Sequence, residues 1–457
     1  MERDAWPVVF SFLNADDVIL KYSLVCKLFH YLISNSPHCY HSVVELNYEE
    51  WGISSSVVKR KCSLPLRNMK ELTICNRRWI PYVSEYLPYV SVLTIVRTPY
   101  LGMKLDNLRK LSIEGHCPGD LPAMPKLQEF DISTDVFDLK QLTQCTELTK
   151  LDINMYGHFN YLGDMRSLWH LPITSIRTNH SNGEELSGFR HLQWLNTRFE
   201  SDDALTYLRG KPLTYLSFSS VFLSRNDADV LLSLDKLVHL KISNCYINDD
   251  VSLNESKIEQ FSMFCCKNII LLRFLPLHIR ELIVYDTNGG SIDYTPVKDL
   301  RNLKKLSIDT EDPNIDLSFL LSMFLDNLRM IIQSPNVTFD CRSIMHMHLI
   351  TLSLDAQCIS DIDSICCDRL ERLYINCEYV KENRLDCSFM KDSPLKHIRL
   401  IMPNTLVDIQ ALQKPSIGYL ECHAKYVLYN RHEFVMLGLK LKIKELCDTT
   451  RSEGLYP

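Results

Sequence analysis

One phrase recurs along this chain and restricts its fold more than any other feature. It reads apolar-x-x-apolar-x-x-apolar-x-apolar. It appears as "LRNMKELTI" ending at Ile74, "LDNLRKLSI" at Ile113, "LRNLKKLSI" at Ile308 and "CDRLERLYI" at Ile375. The penultimate apolar residue of each copy serves as a ruler. Its marks fall at Leu72, Leu93, Leu111, Phe130, Leu151, Ile176, Leu195, Leu216, Leu240, Phe261, Leu282, Leu306, Ile331, Leu352, Leu373, Ile398 and Leu420. The spacing is nearly constant, shortest from Leu93 to Leu111 and longest at steps such as Leu151 to Ile176. In a short strand, alternate side chains face one side, so the closing apolar-x-apolar pair points inward together. One copy cannot bury that pair alone. Stacking the copies as a parallel sheet buries a continuous apolar column.

A phrase of this form at this period resembles the leucine-rich repeat family, over roughly residues 66–425 with about 17 copies. The resemblance implies an α/β solenoid with a parallel sheet along its concave face. That family usually places Asn or Cys five residues after the ruler leucine, where it bonds the turn backbone. Cys245 fits, but Arg77, Thr98, His116, Asp135, Tyr156 and Glu311 hold the equivalent places. The array is therefore a degenerate member, and its convex side is not legible. "SDDALTYLRG" reads as a helical turn with Ser201 as N-cap and an apolar face of Ala204, Leu205 and Leu208. "TNGGSIDYTP" reads as a loop. "LGLKLKIKEL" alternates Leu439, Leu441 and Ile443 with lysines. It reads as a capped terminal edge, because lysines along a last strand discourage further pairing.

Residues 1–41 carry no repeat phrase. Asp16 or Asp17 can cap a helix whose stripe is Val18, Tyr22, Val25, Phe29 and Leu32, with Leu20, Leu24 and Leu28 alongside. Ser36-Pro37 ends it. So wide an apolar surface on so short a segment needs a partner surface. The order "VFSFL" (Val9–Leu13), Asp17, "SLVCK" (Ser23–Lys27) and Phe29 resembles an F-box. Met1 and Glu2 stand where that family usually has Leu-Pro.

An F-box ahead of leucine-rich repeats implies a substrate-recognition subunit of an SCF-type cullin–RING ubiquitin ligase. By that resemblance Val9, Phe12, Leu13, Leu20, Leu24, Val25, Cys26 and Phe29 dock on the SCF adaptor, and through it on a cullin. The repeats would hold an unidentified target protein. The receptor would contribute proximity rather than chemistry. Two alternatives stand beside this reading. The N-terminal helices could simply cap the first repeat, and the chain could be a protein-binding repeat scaffold with no ubiquitin ligase role. The expected layout is an F-box-like helical module at 1–41 and a connector with first-repeat cap at 42–65. Repeats follow at 66–430, then a C-terminal cap and tail at 431–457.

On this architecture, residues alternating with the inward pair line the open face of the sheet. The middle copies place Arg177, Trp194, Arg198, Tyr215, His239 and Lys241 there. The late copies place Arg372, Tyr374, His397, Arg399, Tyr419 and His423 there. Trp, Tyr and Arg are preferred interface residues, and basic charge suits an acidic or phosphorylated segment.

Composition removes several other classes. The formal net charge is −6, against the basic excess of a nucleic-acid binder. Glycine is scarce at 14 residues, which disfavours glycine-rich phosphate loops. The 17 cysteines are scattered with no C-x-x-C, so free thiols in a reducing cytoplasmic or nuclear compartment are expected. No apolar run is long enough to span a bilayer. "HMH" (His346–His348) could put two imidazoles on one strand face, but a metal site would need ligands the spacing does not supply. No catalytic motif has usable spacing, so no enzyme activity, cofactor or metal is expected.

Overall fold

A computed structural model describes residues 44–46, 71–74, 90–96, 105–115, 121–134, 137–155, 164–267, 272–286, 292–412, 416–429 and 440–445. The F-box-like segment, with Val9, Phe12, Leu13, Leu20, Leu24, Val25, Cys26 and Phe29, lies outside the described residues. The chain divides into two compact units between Leu213 and Thr214.

The first unit holds strands β1 (Val44–Leu46), β2 (Glu71–Ile74), β3 (Val92–Val96), β4 (Lys110–Glu114), β5 (Glu129–Thr134), β6 (Lys150–Met155), β7 (Ser175–Thr178) and β8 (Trp194–Arg198). Each pairs in parallel with the next in sequence. The second unit holds β9 (Tyr215–Ser219), β10 (Phe222–Leu223), β11 (His239–Ser243), β12 (Tyr246–Ile247), β13 (Gln260–Phe264), β14 (Glu281–Asp286), β15 (Lys305–Thr310) and β16 (Asn327–Ile332). It continues with β17 (Thr338–Asp340), β18 (Thr351–Ser360), β19 (Arg372–Val380), β20 (Arg384–Asp386), β21 (His397–Asp408), β22 (Tyr419–Leu428) and β23 (Lys440–Glu445).

In the second unit β9, β11, β13, β14, β15, β16, β18, β19, β21, β22 and β23 form one parallel ladder, one strand per repeat. The short strands lie beside it: β10 pairs β12, β17 pairs β18, and β20 pairs β21. This is the solenoid class that the period implies. Parallel neighbours need a crossover of a dozen or more residues, and the repeat length supplies it.

The ladder aligns the ruler residues. Leu240 pairs Phe261, Leu282 pairs Leu306, and Leu352 pairs Leu373. The ruler residue and its i+2 neighbour are both inside: Leu240 is 2% exposed and Ile242 1%. Burying each such side chain contributes about 1.5–3 kcal/mol. One mark is displaced. Leu328, not Ile331, pairs with Leu306 and Leu352. Leu328 and Met330 are buried, and Ile331 faces outward. Leu328 stands three residues after Leu325 and has Met330 two places on, whereas Ile331 has Gln333 there, so Leu328 heads the inward pair.

The outer side is built mostly from 3-10 helices with a recurring entry. Asp138, Asp164, Asp340 and Asp386 each accept a hydrogen bond from the backbone N–H two residues on, at 2.8–3.0 Å. Asp293, Asp316 and Asp408 make the same bond. In each case the residues one and four positions after the Asp are apolar, as in "DLKQL" and "DMRSL". The capped turn drives that apolar pair inward, and Leu139 and Leu142 are fully buried. Two short α-helices occur among the described residues, α1 (Gly183–Leu186) and α2 (Arg225–Leu232), the latter opened by a Ser224–Asp227 capping box.

The expected helical turn after Ser201 is a 3-10 helix, Ala204–Leu208. Asp203 occupies its N-cap position, and no side chain caps it. Its apolar face of Ala204, Leu205 and Leu208 is buried, as the spacing predicts. At the end of the expected loop a 3-10 helix begins, Thr295–Asp299, with Pro296 in its first turn. Among the described residues no helix is long and apolar enough to cross a membrane.

Candidate target-binding face

Ladder register turns the residues between the buried pair into rows along the open face. In the second unit one row runs Tyr374, Arg399, Glu421, Lys442 on adjacent strands. The row beside it runs Arg372, His397, Tyr419, and the third runs Asn376, Ile401, His423, Lys444. The late candidates therefore share one surface.

Glu421 is the centre of that surface. Its side chain is only 4% exposed although it sits on the open face of the sheet. Arg399 Nε lies 2.9 Å from Oε2, and Lys442 Nζ donates to Oε1 at 2.6 Å. The Tyr419 hydroxyl donates to Oε2 at 2.8 Å. His423 Nε2 lies 3.1 Å from Oε1 but outside hydrogen-bond geometry. The Arg399 guanidinium in turn covers the Tyr374 ring, 5.3 Å from its centroid. The Lys442 hydrogen bond, helped by Tyr419 and Arg399, holds the Glu421 carboxyl below its usual range despite burial. The same bonds push Tyr419 and Lys442 up. Arg399, Tyr419 and Lys442 thus converge on one anchored carboxylate, and the cations outnumber it.

The middle candidates fall into both units. In the first, Arg177 aligns with Asp152 and pairs with it at 3.3 Å. Arg177 and Trp194 line one shallow depression with Lys110, Glu129, Asp131, Lys150 and Asp152. Burial and the neighbouring Asp131 raise the Asp152 carboxyl, while Arg177 opposes them. Arg198 is exposed at the end of β8. In the second unit Tyr215 and His239 are in register, ring centroids 6.3 Å apart. Lys241 Nζ lies 4.3 Å from the centroid of the Phe264 ring, which stacks on Tyr285 at 6.0 Å.

Sequence reasoning missed Glu421, Lys442, Phe264 and Tyr285 as parts of this face. The alternation that found Tyr419 and Lys241 reaches each of them, because all occupy outward places on their strands. It also missed Cys266, which stands five residues after Phe261 as Cys245 does after Leu240. Both are buried, and each thiol donates to a backbone carbonyl two residues back, at 3.4 and 3.5 Å. Asn244 and Cys265 precede them with left-handed φ of 51°. Glu311 takes no such role; its N–H bonds the Asp286 carbonyl at 3.3 Å.

"HMH" lies in a turn ahead of β18 rather than on a strand. Met347 is buried, and the two imidazoles separate. His346 Nε2 is 2.9 Å from the Met323 carbonyl, whereas His348 Nδ1 is 2.7 Å from Asp368 Oδ2.

No protein-family model matches the chain, and no curated protein matches it. Solved structures do match in fold. The mouse RP105/MD-1 complex superposes with a TM-score of 0.50 at 12% identity, covering 84% of this chain and 80% of that one. CroV588, described as a novel circular LRR protein structure, gives 0.42 at 13% identity, covering 79% and 60%. An internalin (inlF) from Listeria monocytogenes gives 0.34 at 11% identity, covering 81% and 89%. By its one-strand-per-repeat ladder and by its likeness to the RP105/MD-1 structure, the chain has the leucine-rich repeat fold.

Proposed function

We propose that this chain is a protein-binding module that takes an acidic target segment along the open face of its second unit. The observation that carries the reading is the row Tyr374, Arg399, Glu421, Lys442. Arg and Tyr dominate interface energetics when they are held in place. Here a nearly buried carboxylate holds Arg399, Lys442 and Tyr419 before any target arrives, which lowers the ordering cost of binding. Arg372 and His397 in the adjoining row add to the basic character of the face. The fold is compatible with such a role: RP105 is described in a complex with MD-1. The module performs no chemistry of its own and works among reduced thiols.

The test is binding to an array of acidic, neutral and basic peptides, for wild type and for Tyr374→Ala with Arg399→Ala. Acidic peptides should be retained, and the double variant should lose at least about tenfold in affinity, or about 1.4 kcal/mol. Retention of peptides regardless of charge, or an unchanged double variant, sinks the reading.

A finer reading makes the module the target receptor of an SCF-type ubiquitin ligase, with Val9, Phe12, Leu13, Leu20, Leu24, Val25, Cys26 and Phe29 on the adaptor. Its support is the sequence order "VFSFL", Asp17, "SLVCK", Phe29. Co-precipitation with the SCF adaptor should succeed for wild type and fail for Leu24→Asp with Val25→Asp. Absence of adaptor from the wild-type precipitate removes this reading and leaves the binding-module reading intact.

A further inference from the structure

His348, Cys366 and Asp368 come together from two successive repeats, in the turns that lead into β18 and β19. Their ligand atoms all lie within 4.8 Å of one another. Cys366 Sγ is 3.7 Å from His348 Nδ1 and 3.3 Å from Asp368 Oδ1, and His348 Nδ1 is 2.7 Å from Asp368 Oδ2. With zinc–ligand bonds of about 2.0–2.3 Å, the edges of a tetrahedral site are about 3.4–3.6 Å. The two sulfur edges are already near that length. With Oδ1 as the ligand oxygen, what must break is the hydrogen bond between His348 Nδ1 and the other carboxylate oxygen, Oδ2.

The backbone that carries the three groups is anchored. Met347 and Leu349 flank His348 and are 0% and 1% exposed. Ile365 and Cys367 flank Cys366 and are 4% and 8% exposed, and Leu370 behind Asp368 is 0% exposed. The Cys367 thiol donates to the Ile365 carbonyl at 3.4 Å, which keeps the adjacent sulfur out of the cluster. The reactive ends face solvent: the side chains of His348 and Asp368 are 56% and 52% exposed.

A nucleophilic reading fails on geometry. A thiol–imidazole–carboxylate relay needs the acid and the nucleophile on opposite ring nitrogens. Here both address Nδ1. Convergence of three donors on one point is the arrangement of a metal site.

We propose that His348, Cys366 and Asp368 bind a zinc ion, with the fourth position open to solvent. One thiolate, one imidazole and one carboxylate in a tetrahedral arrangement match the borderline-soft preference of Zn(II). On binding, the Cys366 thiol releases its proton to solvent as the Zn–S bond forms. The His348 proton shared with Asp368 leaves Nδ1, carried to the exposed Nε2 or lost to solvent. Asp368 supplies a carboxylate oxygen.

The test uses the full-length, metal-free protein, titrated with Zn(II) against a chelator and separately with Co(II) followed by absorption. Wild type should take up one more equivalent of Zn(II) than Cys366→Ser. It should show thiolate-to-cobalt charge-transfer and tetrahedral ligand-field bands that Cys366→Ser lacks. His348→Ala and Asp368→Asn should weaken binding by more than the about 10–100-fold typical of losing a ligand's outer hydrogen-bond partner. His346→Ala, whose ring bonds a carbonyl elsewhere, should bind as wild type does. Equal stoichiometry in wild type and Cys366→Ser, or cobalt spectra without a thiolate band, overturns the proposal.

Discussion

Glu421 shows how much one side chain on an open sheet face can organise. Its carboxylate collects Arg399, Lys442 and Tyr419 from its own and the neighbouring strands. Because its folded pKa is lowered, the stability it contributes is present above the ordinary carboxylate value of 4.5. It is lost as pH falls through the lowered folded value. Glu421→Gln keeps an acceptor for Tyr419 and removes the charge. Urea unfolding of the two proteins should show wild type more stable near neutral pH, with the gap closing below about pH 4.5. A gap that does not change with pH would show that the charge contributes nothing. Alternation in "YLECHAKYVL" puts Glu421 on the outward face. Its burial depends on residues of two other strands, one repeat away in each direction, which no local pattern contains.

At the scale of the element, period and chemistry give different amounts of information. Strands were legible because a ruler residue and its i+2 neighbour must both go inside. In the copy "LDNLRMIIQ" the rule selects Leu328, with Met330 two places on, over Ile331, which has Gln333 there, and Leu328 takes the place in the column. Leu328→Ala should cost about 2–5 kcal/mol by the cavity it leaves in the column. Ile331→Ala should cost less than half as much, because its side chain lies outward; thermal or denaturant unfolding decides. A larger loss at Ile331 would restore the displaced register.

The outer turns hid behind the wrong expectation. The asparagine ladder is mostly absent, but an aspartate followed by apolar residues one and four places on marks 3-10 turns in both units. Aspartate satisfies a free N–H at the turn entrance, and the apolar pair closes the column from the other side.

For the whole molecule, a repeat stack predicts short-range coupling. Each repeat contacts mainly its neighbours, so distant core losses should not feel each other. Leu151 lies in the first unit and Leu373 in the second, 1% and 2% exposed. Leu151→Ala and Leu373→Ala should each destabilise by about 2–5 kcal/mol. Their combined effect should equal the sum within about 0.5 kcal/mol. A larger deviation would show the two units behaving as one cooperative body.

The amino-acid sequence by itself determined the repeat, its period, the inward pair and the parallel ladder. Those follow from side-chain alternation and from the need of each copy to bury its apolar pair against the next. Only the tertiary structure decided which outward residues meet. It placed Glu421 among cations from adjacent strands and brought His348 to Cys366 and Asp368. Side chains a full repeat apart in the chain become neighbours only when strand register and turn geometry set the offset between repeats.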